Sequence, residues 1–74
     1  MVFEKVQAII CAQFDLSKDA VKPDSVIMED FDADSLDLID LAMSIEDEFE
    51  MEVPDEELEN FRTVDDIVKY IEEH

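Results

Sequence analysis

Near the middle of the chain runs Ser35-Leu36-Asp37-Leu38-Ile39-Asp40-Leu41-Ala42-Met43-Ser44-Ile45-Glu46-Asp47-Glu48-Phe49-Glu50, and its apolar spacing sets the architecture. Leu38, Leu41, Ala42, Ile45 and Phe49 recur at spacings of three and four, which puts them on one stripe of an α-helix. The alternation of period two that a half-buried strand needs is missing. The spacing predicts a helix over 35–50. Asp34, just before it, is a good N-cap because its carboxylate can accept from the free N–H groups of the first turn. Asp37, three residues further on, makes an imperfect capping box.

The same period recurs on both sides. Phe3, Val6, Ile10 and Phe14, with Ile9 beside them, predict a helix over 2–14. A long connection follows, about 15–33, with Lys22-Pro23-Asp24-Ser25 inside it. Pro54-Asp55-Glu56-Glu57 has the proline and acids favoured in a first helical turn, so a short helix is expected over 55–60. Thr63 is an N-cap for a last helix carrying Val64, Ile67, Val68 and Ile71. Pro23 and Pro54 mark boundaries, since each turns the residue before it away from helix. Glycine is absent, so helix ends that need positive φ must use another residue. Asp15 and Asp32 stand at plausible turn positions, although ordinary loop acids are nearly as good a reading. The fold class is all-α: a small four-helix bundle of three main helices plus a short third, with a long loop between the first and second. Residues 1–74 are expected to form one domain.

Charge narrows the function classes. The chain has 23 acids against 5 Lys plus Arg, a net charge of −18. Residues 1–29 hold five acids and three lysines, whereas residues 30–74 hold eighteen acids with only Arg62 and Lys69. Such a surface repels a phosphate backbone and an anionic membrane, and favours basic protein partners or a cation. No apolar run approaches the ~20 residues that span a bilayer, and the first residues lack a leader pattern. One Cys and one His, Cys11 and His74, can form neither an intrachain disulfide nor a zinc site. A reducing, cytoplasmic setting is expected, and a monomer.

Three chemical readings compete at Asp30-Phe31-Asp32-Ala33-Asp34-Ser35. A calcium loop starting at Asp30 would need Gly where Ser35 stands and a bidentate Glu where Leu41 stands, so no metal site is expected beyond weak charge neutralisation. A nucleophilic Ser35 would need a positioned base, and the sole histidine is the last residue. Catalysis is therefore not expected. In the third reading Ser35 is an acceptor, modified by another enzyme. At the first helical position its hydroxyl faces outward, and a phosphate there would meet free N–H groups and the positive end of the helix dipole. On local features alone, an ordinary helix-start serine is an equally good reading.

The helix over 35–50 is apolar on a second side. Leu36, Ile39 and Met43 form a seam edged by Asp37, Asp40, Glu46 and Asp47. Anchors edged by acids suit a partner surface carrying Lys and Arg, with the acids giving steering and register. Exposure is expected for Leu36 and Met43 and is left open for Ile39. The alternative is that some of these residues pack beneath the short helix or the long loop.

Asp34-Ser35-Leu36, within Ala33-Asp34-Ser35-Leu36-Asp37, resembles the attachment motif of acyl carrier proteins. The likeness continues through Glu46-Asp47-Glu48-Phe49-Glu50, Val53-Pro54-Asp55-Glu56-Glu57 and Thr63-Val64, and covers essentially the whole chain. The resemblance implies that Ser35 carries 4′-phosphopantetheine, transferred from coenzyme A by a magnesium-dependent holo-acyl-carrier-protein synthase. It implies a non-catalytic carrier whose acyl thioesters are presented to fatty acid synthesis enzymes and acyltransferases with basic patches. Asp34, Leu36, Asp37, Ile39, Asp40, Met43, Glu46 and Asp47 then become the partner-recognition set. Ala42, Val53, Leu58 and Phe61 become candidates for lining the space that shelters the acyl chain. Many members have Leu-Gly where this chain has Phe31-Asp32, which leaves the loop geometry open. The alternatives are a specialised carrier for polyketide, D-alanyl or other acyl or aminoacyl groups, and an acidic interaction or cation-binding module with no prosthetic group.

Overall fold

The computed structural model describes residues 2–74. Helix forms wherever apolar residues recur at three and four. These segments are α1 (Val2–Phe14), α3 (Ser35–Phe49) and α4 (Val64–Glu73), with a 3-10 helix over Asp55–Asn60 where Pro54 opens a run of acids. The expected all-α bundle is present, and its short third piece is 3-10 and not α. Two elements were not anticipated within the long loop: a 3-10 turn at Lys18–Ala20 and a one-turn helix, α2 (Ile27–Asp30). No strand occurs among the described residues; one isolated antiparallel bridge joins Val26 and Thr63.

One hydrophobic cluster holds the helices together. α1 packs against both α3 and α4. Val6 and Ile10 of α1, Leu41 and Ile45 of α3, and Val64 and Ile67 of α4 are essentially sealed from solvent. The loop contributes Val21 and Ile27 to the same centre. Each such aliphatic side chain contributes about 1.5–3 kcal/mol by leaving water.

Polar bonds tie the loop to this frame. The Gln7 side-chain amide donates to the carbonyls of Lys18 and Val21 at 3.1 and 3.0 Å, and that of Gln13 donates to Asp37 O at 2.8 Å, joining α1 to α3. Further along, Ile27 N donates to Arg62 O (2.9 Å), Val64 N to Ser25 O (3.1 Å) and Asp65 N to Pro23 O (2.8 Å). Residues 23–27 are thereby stitched to the start of α4. Ser25 is buried, and its Oγ accepts from Lys22 N.

The chain turns without glycine by placing acids in the left-handed region. Asp15 and Asp32 have φ of 55° and 54°, as their turn positions suggested, and Glu50 has 52°. Glu50 thus ends α3 at Phe49, one residue earlier than expected. After α1, Leu16 N reaches back to Cys11 O, and after α3, Met51 N reaches back to Glu46 O. Both are the six-to-one closures of Schellman ends, where glycine is the usual residue.

Candidate functional site

The start of α3 is closed by a complete capping box, not the imperfect one expected. Asp34 is extended (φ −111°, ψ −171°), which frees its carboxylate to fold over the helix end. Its Oδ1 accepts from Asp37 N at 3.0 Å, while Asp37 Oδ2 accepts from Asp34 N at 3.1 Å. Ser35 lies between the two partners as the first residue of the helix, and it is exposed. His74, the sole histidine, stacks on Tyr70 with ring centroids 4.1 Å apart, and its Nδ1 meets Tyr70 O at 2.9 Å. It is therefore engaged with Tyr70 and not with Ser35. Among the described residues, no three Asp, Glu, His or Cys are grouped to hold a metal ion.

Beside Ser35 opens a cavity of about 460 Å³ between α3 on one side and α2 with the 3-10 helix on the other. That volume falls within the range of small-ligand sites, ~300–1,000 Å³. Buried Leu38 and Phe61 form its floor. Val26, Met28, Ile39 and Leu58 form its walls. Exposed Ser35, Glu29, Glu59 and Arg62 stand at its mouth. Of the four residues expected to line such a space, Leu58 and Phe61 do. Ala42 and Val53 do not: both are buried in the main core. Ala42 lies a turn beyond Leu38, and Val53 is drawn to the far end of α3, where its N–H donates to Glu46 Oε2 at 2.8 Å.

The outer face of α3 carries the apolar seam. Leu36 is 70% exposed, Met43 60% and Ile39 41%, which resolves the open case of Ile39 in favour of exposure. Ile39 also borders the cavity, while Met43 faces a groove shared with Ile9 and Ala12 of α1. Asp40 and Asp47 edge that groove and are exposed. Asp34 is exposed as well, although its carboxylate is engaged in the cap. Two other rim acids are not free. Asp37 is half-buried in the capping box, and half-buried Glu46 holds the chain that leaves α3. Met28, 46% exposed at the cavity, was missed, as were Glu29 and Arg62. A four-residue helix shows no period, and nothing near Arg62 in sequence places it beside Ser35.

An outward hydroxyl at a capped helix start, next to an apolar cavity, suits a covalently attached arm with an anionic link and an apolar load. The N–H groups and dipole of α3 favour the anion, and the cavity favours the load.

Comparison with known proteins agrees with this geometry. The family described as phosphopantetheine attachment site matches residues 4–71. The acyl carrier protein of Clostridium perfringens strain 13 is 44% identical over 73 residues, covering 99% of this chain and 96% of the relative. That of Helicobacter hepaticus is 47% identical over 70 residues, covering 95% and 92%. That of Clostridium acetobutylicum is 46% identical over 74 residues, covering 100% and 96%. The chain belongs to the phosphopantetheine-bearing acyl carrier family. Its members carry acyl groups and do not transform them, and no described helix here is long and apolar enough to cross a membrane.

Proposed function

We propose that Ser35 is the attachment residue and that the chain is an acyl carrier of type II fatty acid synthesis in the cytoplasm. The supporting observation is the exposed Ser35 hydroxyl, fixed at the first position of α3 by the Asp34–Asp37 box and set at the mouth of the cavity. A holo-acyl-carrier-protein synthase would join Ser35 Oγ in a phosphodiester to the pantetheine-side phosphorus of coenzyme A, breaking the pyrophosphate bond so that adenosine 3′,5′-bisphosphate leaves and the serine proton passes to solvent or to the transferase. When bound, the 4′-phosphopantetheine supplies a terminal thiol for acyl thioesters. This chain's residues do the rest. Asp34 and Asp37 hold the serine in place, Leu38, Ile39, Leu58 and Phe61 exclude water from the acyl chain, and Leu36, Met43, Asp40 and Asp47 face the partner enzymes. Attachment of the arm and presentation of its load ask the protein for positioning, burial and charge.

The test is intact mass after incubation with coenzyme A and a phosphopantetheinyl transferase. Wild type gains the mass of one phosphopantetheine, and Ser35→Ala gains none. Equal gain by the two proteins places the attachment elsewhere.

A further inference from the structure

Arg62 is the sole arginine of the chain and one of two cations among residues 30–74. Its backbone is pinned on three sides. Arg62 N donates to Asn60 O (3.1 Å) and to Asp66 Oδ2 (3.2 Å), and Arg62 O accepts from Ile27 N (2.9 Å). The side chain therefore leaves from a fixed point, and it stands at the mouth of the cavity that Ser35 shares. Glu29 and Glu59 border the same cavity. Even so, among the described residues the ion pair present is Lys69–Asp65 (3.3 Å), and the Arg62 guanidinium is in none. A cation held in so acidic a field, yet not committed to a neighbouring carboxylate, has its donors available for another anion.

We propose that Arg62 is the counter-cation of the phosphodiester formed on Ser35, holding the arm along the cavity mouth; this rests on Ser35 being the attachment residue. The chemistry suits a guanidinium better than an ammonium. Its planar fork donates two parallel N–H groups to two phosphate oxygens and keeps its charge at any working pH. Modification adds an anion beside Asp34, Asp37, Glu29 and Glu59. The α3 N-terminus offsets part of that repulsion, and Arg62 is the one cation at the cavity to offset the rest.

The experiment is a cycle of four proteins: wild type and Arg62→Gln, each unmodified and modified, with modification verified by intact mass. Melting temperatures are read at low and high salt. The change in Tm caused by modification is expected to be less favourable in Arg62→Gln than in wild type by about 1–5 °C at low salt, as for an exposed ion pair in a domain of this size. The difference shrinks at high salt, and Arg62→Lys falls between the two. In parallel, the ³¹P resonance of the modified wild type moves on Arg62→Gln substitution. Identical modification-dependent Tm changes in wild type, Arg62→Gln and Arg62→Lys, with an unmoved ³¹P resonance, overturn the assignment. Slower loading of Arg62→Gln with an unchanged cycle also overturns it, and places Arg62 in contact with the transferase instead. Failure of wild type to load at Ser35 is seen first, in the mass, and counts against the attachment reading itself.

Discussion

Replacing Glu50 by glycine should stabilise the protein, and the amount can be worked from its backbone. Glu50 closes α3 at φ 52° and ψ 50°, with its own N–H and that of Met51 both bonded to Glu46 O. A residue with a Cβ is strained there by about 1–2 kcal/mol. Glycine removes that strain but gives back about 0.5–1 kcal/mol through the greater freedom of its unfolded state. The net gain is about 0–1.5 kcal/mol, or up to about 12 °C in Tm for a domain of 60–100 residues. Glu50→Gly also deletes a negative charge at the negative end of the helix dipole, in a chain already at −18. Glu50→Gln controls for this, because it removes the charge and keeps the Cβ. Thermal melts by circular dichroism at fixed salt should rank Glu50→Gly above Glu50→Gln, and Glu50→Gln at or above wild type. A glycine variant melting no higher than the glutamine variant would refute the strain argument.

Thr63→Ala should cost about 0.5–2 kcal/mol, read from denaturant unfolding, because Thr63 Oγ1 accepts from Asp66 N at 3.2 Å in the second capping box. Asp40→Lys should slow loading by the transferase at low salt with helicity unchanged. Asp40 is the better probe than Asp37, whose carboxylate also closes the α3 cap. The Tyr70 phenol should ionise above its ordinary 10.0, raised first by desolvation and then by the Glu57, Glu46 and Glu52 carboxylates. A raised phenol pKa adds stability that is present below the unfolded value and lost as pH climbs through the folded one, so the effect is confined to alkaline solution. Absorbance titration checks it, and Glu57→Gln should move the midpoint back toward 10.0.

What could be read in advance divides along the range of the forces involved. α1, α3, the Asp55–Asn60 turn and α4 were legible because each carries its own periodic stripe or its own start signal, such as Pro54 or Thr63. Asp15 and Asp32 were legible as turn residues because a chain without glycine leaves few substitutes. Ser35 was visible through its flanking acids and their likeness to a known motif, and its cap proved tighter than the local pattern promised. The misses depend on residues distant in sequence. α2 is held through Ile27 N on Arg62 O, and Ser25 is buried because its carbonyl receives Val64 N. Met28 and Arg62 reach the cavity through that same stitching, while Ala42 and Val53 are taken up by the core. Glu50 passed unnoticed because a glutamate after a phenylalanine carries no mark of a left-handed turn.

The two crossed bonds between Asp34 and Asp37 have a mechanical meaning. They grip the backbone on either side of Ser35, leaving its oxygen as the single loose point of a stiff collar. With the arm attached at Ser35 as proposed, a load would start from a pivot that does not wander. The length of the tether bounds the volume within reach, the cavity beside Ser35 biases where in it the load rests, and a docked enzyme that locates the collar has located the origin of that reach.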